Sequence, residues 1–289
     1  MQTSSALYNA CSSSNLRLFR LLITLPDARL DIISDFGTNV VHVACEKDTE
    51  EYIMAILEHK RDDFKAIINS RARNGRFDSQ AVGKTPLHIA CESAKVPLNT
   101  IRILLDNGAD VNLREPLMGD TAVHFVIASI PTVASQATRT FEDVAPQATR
   151  TFEDVRDIIE LLLKHKADIN AVDIHQRTAV FDCVCRNSMM FNAEVFRLLL
   201  YHGANINIPE GGIDMPGIGE NMTVRRMVIF LKGRRVWEVL DEYERFFNGR
   251  KALAMGIGYE SQNQSSLKVI DEEIAKMISK HLWLSKNTT

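Results

Sequence analysis

The strongest constraint on the fold of this chain is a motif that recurs along it. Residues 83–91 read Gly-Lys-Thr-Pro-Leu-His-Ile-Ala-Cys, and residues 101–112 read Ile-Arg-Ile-Leu-Leu-Asp-Asn-Gly-Ala-Asp-Val-Asn. Thr85 is suited to cap a helix because its hydroxyl accepts a free backbone N–H, and Pro86 suits the first helical position because its missing N–H would be unpaired there. Gly108 supplies the left-handed residue that ends a second helix. Each unit is therefore predicted to be a helix, a turn, a second helix and a long loop.

The unit recurs on both sides of this copy. Three copies are clear and three are weaker, with openings at 5–11, 37–45, 83–91, 119–124, 176–181 and 221–223. A single unit cannot bury its apolar face alone, so we expect the copies to stabilise one another by stacking.

These residues closely resemble the ankyrin repeat, a unit of about 33 residues with a Thr-Pro-Leu-His opening. The resemblance covers about residues 3 to 245. In that family a short inner helix and an outer helix lie antiparallel in each repeat, and a β-hairpin-like finger projects towards the next repeat. The resemblance therefore implies an all-α fold, an ankyrin-repeat α-solenoid of stacked helix-turn-helix units with finger loops.

This interpretation divides the chain into an ankyrin-repeat domain over residues 1–250 and a C-terminal segment over residues 251–289. The repeats are expected near 3–34, 35–69, 83–114, 119–172, 174–208 and 219–245. In the C-terminal segment, an amphipathic helix that caps the solenoid is predicted by the spacing of Val269, Ile270, Ile274, Met277, Ile278 and Leu282.

Surplus residues separate several copies by more than the period of the family. They lie near 61–82, at 131–154 and after residue 207. Because the helices of a solenoid cannot lengthen without losing register with their neighbours, we expect all of these stretches to leave the stack as loops. The polar residues of 71–76 and the glycines and prolines of 209–219 are typical of loops.

The insertion at 131–154 contains a perfect tandem duplication. Residues 136–144 read Gln-Ala-Thr-Arg-Thr-Phe-Glu-Asp-Val, and residues 147–155 repeat them after Ala-Pro. We interpret the duplication as a recent genetic event in a tolerant loop, since surface loops accept insertions at small entropic cost. The alternative is a binding element kept by selection. The second Glu-Asp-Val is expected to start the outer helix of its repeat, so the first copy is expected to be surplus loop.

Deleting residues 136–146, one copy with its joint, is expected to leave the stability nearly unchanged because this loop lies outside the stacked core. Thermal melts of the shortened and full-length proteins measure the effect directly. A loss of more than about 2 kcal/mol in the free energy of unfolding would show that the first copy is packed.

Composition excludes several classes of function. Lys and Arg number 34 against 37 Asp and Glu, so the formal net charge of -3 provides no chain-wide basic field for nucleic acid. No uncharged apolar run approaches the roughly 18 residues of a membrane helix, and the N-terminus lacks a signal-peptide pattern. Five cysteines argue for a reducing compartment and an intracellular, cytoplasmic location. Residues 225–235 are rich in Lys and Arg, and a nuclear-import signal is the alternative there to the solvent face of a capping repeat.

The residue types that often carry chemistry fall in structural positions. Three histidines occupy the opening motif, where the imidazole of the family bonds to the backbone of neighbouring loops, and four cysteines occupy the small-residue positions that follow it. They are His42, His88, His124, Cys11, Cys45, Cys91 and Cys183. No phosphate-binding loop, nucleophile elbow, zinc knuckle or metalloprotease pair is found. We therefore expect no catalytic residue, no metal and no cofactor.

The predicted function is that of a non-catalytic protein-protein interaction module or scaffold. It is expected to bind another protein on its concave face, to be a monomer on its own, and to insert into no membrane; the identity of the partner does not follow from the fold. An adaptor that presents substrates to a ubiquitin ligase or another enzyme is one alternative, with a second docking site in residues 250–289. An enzyme with an unrecognised site is the other, although the polar side chains are spread along a repeat surface.

The positions that the family exposes on its fingers and inner helices correspond here to Phe36, Thr38, Glu46, Lys47, Val82, Lys84, Glu92, Ser93, Met118, Asp120, His175, Arg177 and Arg186. We hypothesise that a partner segment places apolar side chains near Phe36 and Met118 and carboxylates near Arg177 and Arg186. A few aromatic and Arg anchors carry most of the energy of an interface. Neither Phe36 nor Arg177 is expected to belong to the core between repeats.

Asn112 and Asn170 close the pattern Leu-x-x-x-x-x-Asp-Val/Ile-Asn, which is commonly hydroxylated in this family, so both are candidate acceptors. The alternative is that each Asn ties its loop through the side-chain amide. If hydroxylation occurs, mass spectrometry of peptides from cells that contain the asparaginyl hydroxylase detects one added oxygen at these residues. Unmodified peptides from such cells would remove the idea.

Overall fold

The computed structural model describes residues 2–35, 37–73, 81–130, 150–185, 193–208, 223–224 and 238–243. Its helices, in chain order, are α1 Gln2–Ser12, α2 Leu16–Ile23, α3 Val40–Ala44, α4 Glu51–His59, α5 Arg61–Ile67, α6 Pro86–Glu92, α7 Leu98–Asp106, α8 Ala122–Ala128, α9 Phe152–Lys164, α10 Ala179–Cys185 and α11 Ala193–Tyr201. Residues 238–243 are helical as well. Extended pairing within these ranges amounts to an isolated bridge between Val172 and Thr178, so the fold is all-α, as the resemblance implied.

The helices pair into repeats that stack side by side. The inner helices α1, α3, α6, α8 and α10 form a row in which each packs on the next, and each also packs on the outer helix of its own repeat. One apolar core extends along the stack from Leu7 to Leu240. Over the ranges that the structure describes, no helix is both long enough and apolar enough to cross a membrane.

Reciprocal caps begin the inner helices α3, α6 and α8, and the histidine of the motif supplies half of each cap. Thr85 Oγ1 accepts the backbone N–H of His88 at 3.4 Å, and His88 Nδ1 accepts the N–H of Thr85 at 3.2 Å. The prediction that Thr85 caps this helix is confirmed. The same arrangement starts α3 and α8, with the pairs Asn39–His42 and Thr121–His124.

The caps also determine where the histidine protons lie. Because Nδ1 of His88 accepts a hydrogen bond, the ring proton is on Nε2, which donates to the carbonyl oxygen of Leu113 at 2.9 Å. His124 Nε2 likewise lies 3.2 Å from the carbonyl oxygen of Arg177. Each of these rings therefore joins the start of its own helix to the backbone of a neighbouring loop, as expected from the family.

The structure contradicts the first part of the loop expected at 61–82, because these residues form a helix in the outer layer of the second repeat. Residues 61–67 form α5, which follows α4 after a break at Lys60, where φ is −140° and ψ is 42°. Phe64 is fully buried and Ile68 is 2% exposed, so this segment belongs to the core. The expectation that surplus residues must leave the stack is therefore wrong here, because a bend lets a second helix continue the outer layer.

Arg150, near the end of the longest insertion, lies in the stack, and only 6% of this residue is exposed. Its guanidinium donates to the carbonyl oxygens of Ala90, Cys91 and Ser93 at 2.8, 2.5 and 2.6 Å. It also reaches the hydroxyl of Ser129 at 3.3 Å. These carbonyls belong to the end of α6, where a helix leaves acceptors unpaired and where its dipole favours a cation.

The cap of α9 follows directly. Thr151 Oγ1 accepts the N–H of Asp154 at 3.2 Å, and the Asp154 carboxylate accepts the N–H of Thr151 at 2.9 Å. The helix therefore begins at Phe152, which confirms that the second Glu-Asp-Val starts the outer helix. The first copy lies outside the described residues, as do the expected loop at 209–219 and the expected capping helix in residues 251–289.

Arg150→Ala is expected to lower the free energy of unfolding by roughly 2 to 4 kcal/mol, because the buried carbonyls at the end of α6 lose their donor. Arg139 is a matched control, since it occupies the same position in the identical first copy. Urea denaturation of Arg150→Ala and Arg139→Ala measures the difference. Equal losses in the two variants would contradict a special role for Arg150.

Candidate functional site

Two fingers are described in full, at residues 115–120 and 173–177. Glu115 N donates to the Asp120 carbonyl at 2.8 Å, and Asp173 N donates to the Arg177 carbonyl at 2.9 Å, which closes each turn. A buried carboxylate at the base of each finger then accepts hydrogen bonds from backbone N–H groups of the tip. The oxygens of Glu115 accept the N–H groups of residues 117 and 118 at 2.7 Å, and Asp173 Oδ1 accepts those of residues 175 and 177 at 2.8 Å.

Successive fingers touch through their backbones. Ile174 N donates to the carbonyl oxygen of Met118 at 2.8 Å. Gly119 permits this approach, because its φ is +76° and a Cβ there would lie 3.0 Å from Ile174 N. Gly83 has the same role one finger earlier, where a Cβ would lie 2.6 Å from the ring of Pro116.

Two arginines also cross from finger to finger. Arg71 Nη1 donates to the carbonyl oxygens of Arg114 and Gly83, at 2.5 and 3.4 Å. Arg114 repeats the pattern with Gly119 at 3.2 Å and with Val172. Neither arginine was predicted from the sequence, although each stands two positions after an asparagine, in Asn-Ser-Arg and Asn-Leu-Arg.

A row of three asparagines, in the loops that follow the outer helices, joins successive repeats. Asn112 Nδ2 donates to the Lys166 carbonyl at 3.0 Å, and Asn112 Oδ1 accepts the N–H of Asp168 at 2.8 Å. Equivalent pairs of bonds are made by Asn69 to residues 108 and 110 and by Asn170 to residues 203 and 205. The interpretation that Asn112 and Asn170 tie loops through their amides is thus confirmed, and their hydroxylation stays a prediction.

The tips of the two described fingers expose large apolar side chains next to one another. Leu117 is 60% exposed, Met118 is 49% exposed and Ile174 is 55% exposed. We call these three residues the finger-tip patch. Met118 was among the predicted binding residues, whereas Leu117 and Ile174 were missed because the family pattern carries no apolar signal at those positions.

The other predicted binding residues differ in how far they are exposed to solvent. Glu46, Glu92 and His175 are exposed, and Lys47, Val82, Lys84, Ser93, Asp120 and Arg177 are half-buried. Thr38 corrects the expectation of exposure: it is 5% exposed, and its hydroxyl lies 2.9 Å from the hydroxyl of Tyr8. Phe36 and Arg186 lie outside the described residues.

Several charged groups of this face already have partners in the chain. Lys84 Nζ lies 2.6 Å from a carboxylate oxygen of Glu92 and 5.1 Å from the ring centre of Phe125. Lys47 Nζ donates to the carbonyl oxygen of Ser12 at 2.9 Å. Although Glu46 is exposed as a residue, shielding of its carboxyl from water raises its pKa; Lys47 opposes this shift and the nearby Glu92 adds to it.

Arg177 corrects the hypothesis that it offers a free cation to a partner. Its guanidinium lies 2.6 Å from the carboxylate of Asp173, whose side chain is fully buried. Burial is the largest single effect on the pKa of this guanidinium and lowers it, but Asp173, Asp182 and Asp120 together outweigh burial and raise the pKa above its ordinary value. Removing Arg177 would leave the buried carboxylate of Asp173 without its cationic partner. Arg177 therefore stabilises its finger, contrary to the expectation that it does not belong to the core.

Two histidines and four cysteines buried among the inner helices are held in uncharged forms. Burial lowers the pKa of His42 and His88 to about 4. It raises the pKa of Cys11, Cys91 and Cys183 to about 12 and that of Cys45 well above its usual value. Such thiols are poor nucleophiles. The described part of the chain brings together no group of three or more His, Cys, Asp or Glu side chains that could hold a metal ion.

Residues 7–115 match the family model described as ankyrin repeats, in three copies. The matched part runs from α1 to the base of the first fully described finger. It contains the caps of α3 and α6 and the first asparagine and arginine bridges. The resemblance noted in the sequence is therefore confirmed over these residues.

Proposed function

We propose that this protein, whose residues 7–115 are ankyrin repeats, binds another protein through its fingers and the adjoining inner-helix positions and has no catalytic chemistry of its own. Ankyrin repeats generally serve as protein-protein interaction modules. The observation that carries the proposal is the finger-tip patch. Large apolar side chains exposed side by side mark interaction sites on proteins more often than scattered ones do.

The construction of the fingers supports this function. The patch sits on turns held by the buried carboxylates of Glu115 and Asp173 and joined by the bond from Ile174 to Met118. A surface whose backbone is already ordered loses little conformational entropy when a partner docks. The proposed contact surface extends from the patch to His175 and Val82 and along the inner helices to Glu92 and Glu46.

Serine substitutions in the finger-tip patch (Leu117→Ser, Met118→Ser and Ile174→Ser together) are expected to remove the partner protein from the complex. Each lost apolar contact costs on the order of 1 to 2 kcal/mol of binding free energy. The measurement is quantitative mass spectrometry of proteins that co-purify with the variant and with the wild type from the same native cells. The melting temperature is expected to change little because all three residues are about half exposed or more.

A matched control replaces exposed apolar residues of the outer helices, Leu21→Ser in α2 and Met54→Ser in α4, which are 69% and 50% exposed. This control is expected to retain the partner. If the control loses the partner and the patch variant keeps it, the protein binds through its outer surface and the proposal is wrong.

A further inference from the structure

The charge beside the finger-tip patch indicates which kind of segment the patch takes, an inference that rests on the proposed function. Arg114 is exposed, and within the described ranges the hydrogen-bond partners of its guanidinium are the backbone carbonyls of Gly119 and Val172. Among the described residues, no carboxylate lies within ion-pair distance of it. Backbone carbonyls orient a guanidinium without neutralising it, so Arg114 keeps a full positive charge at the surface.

Lys84 and Arg177, two other cations of this face, differ from Arg114 in this respect. Lys84 is paired with the carboxylate of Glu92, and Arg177 is paired with that of Asp173. The carboxylate nearest to Arg114 in sequence, Glu115, is buried, and it accepts backbone N–H groups of its own finger. The cation offered to a partner next to the patch is therefore Arg114 and not Arg177.

The guanidinium and the apolar patch meet at one point. A Cβ placed on Gly119 would lie 3.3 Å from Nη2 of Arg114 and 3.2 Å from Cγ2 of Ile174. Nε and Nη2 each donate one bond to a carbonyl, which leaves Nη1 and the second hydrogen of Nη2 as donors. A carboxylate is the group that such a planar pair of donors binds best.

We propose that the finger-tip patch and Arg114 together bind a short acidic-apolar segment of the partner protein. A large apolar side chain of that segment packs on Leu117, Met118 and Ile174. An Asp or Glu close to it in the partner sequence accepts hydrogen bonds from the free N–H groups of Arg114.

The test begins with a random-peptide phage library selected on the full-length protein. The selected peptides are expected to combine an Asp or Glu with a large apolar residue a few positions away. A synthetic peptide of the commonest sequence is then titrated by fluorescence anisotropy against the wild type, the patch triple variant, Arg114→Gln and Arg71→Gln. Arg71 is the matched control because it makes the same kind of carbonyl bridge one finger further from the patch.

Replacing the peptide carboxylate by its amide is expected to weaken binding to the wild type about tenfold and to change binding to Arg114→Gln little. Added salt is expected to weaken wild-type binding more than Arg114→Gln binding. Arg71→Gln is expected to bind like the wild type. The measurement with the amide peptide on the wild type needs no folded variant, so a poorly folded Arg114→Gln leaves the test intact.

The outcomes separate the two proposals. One outcome is a peptide that needs the patch but keeps its affinity when its carboxylate becomes an amide, and another is a selection of basic peptides. Either result would overturn the assignment of Arg114 and leave the proposed function standing. Peptides that bind the patch variant as tightly as the wild type, or a selection that enriches none, would count against the proposed function itself.

Discussion

The structure depends on side chains that satisfy the backbone of a neighbouring repeat. A stack of short helices leaves many loop N–H and carbonyl groups between layers, and such groups must find partners if they are to be shielded from water. Asn69, Asn112 and Asn170 provide both a donor and an acceptor to the next loop. Nearer to the fingers, Arg71 and Arg114 donate to carbonyl oxygens of the next finger, and the Nε2 atoms of His88 and His124 donate to carbonyl oxygens of neighbouring loops. The spacing of the repeats thus follows from directional bonds, while apolar packing provides the main driving force.

Extra residues between two repeats are compatible with the stack where the residues that follow them restore this pattern. After the longest insertion, Arg150 closes the end of α6 and Thr151 caps α9, so two consecutive residues restore both position and direction. The entropic cost of a loop rises only slowly with its length. The bend at Lys60 shows a second solution, in which the extra residues stay in the outer layer and bury Phe64.

The sequence predicts the elements that local chemistry determines. The opening motif identified the Thr85 cap, the closing Asp-Val/Ile-Asn pattern identified Asn112 and Asn170, and the two together identified the all-α repeat fold. It did not predict α5, because Phe64 stands in a charged stretch, or the role of Arg150, because Arg139 has an identical local sequence and only tertiary position distinguishes them. The site was predicted less well. Met118 and His175 are exposed as expected, but Thr38 is buried and Arg177 is paired with Asp173, and those outcomes depend on neighbours distant in the pattern.

The cysteines give this stack a property unrelated to binding. Cys11, Cys45 and Cys91 occupy equivalent places in three successive inner helices, and Cys183 stands in a later one, all of them free and buried. A protonated thiol that solvent cannot reach reacts with an alkylating reagent only when its own repeat opens. The chain thus carries native reporters spaced along its axis. The rate at which each thiol is labelled gives the opening free energy of its repeat, so the cooperativity of the solenoid can be mapped without introducing a probe.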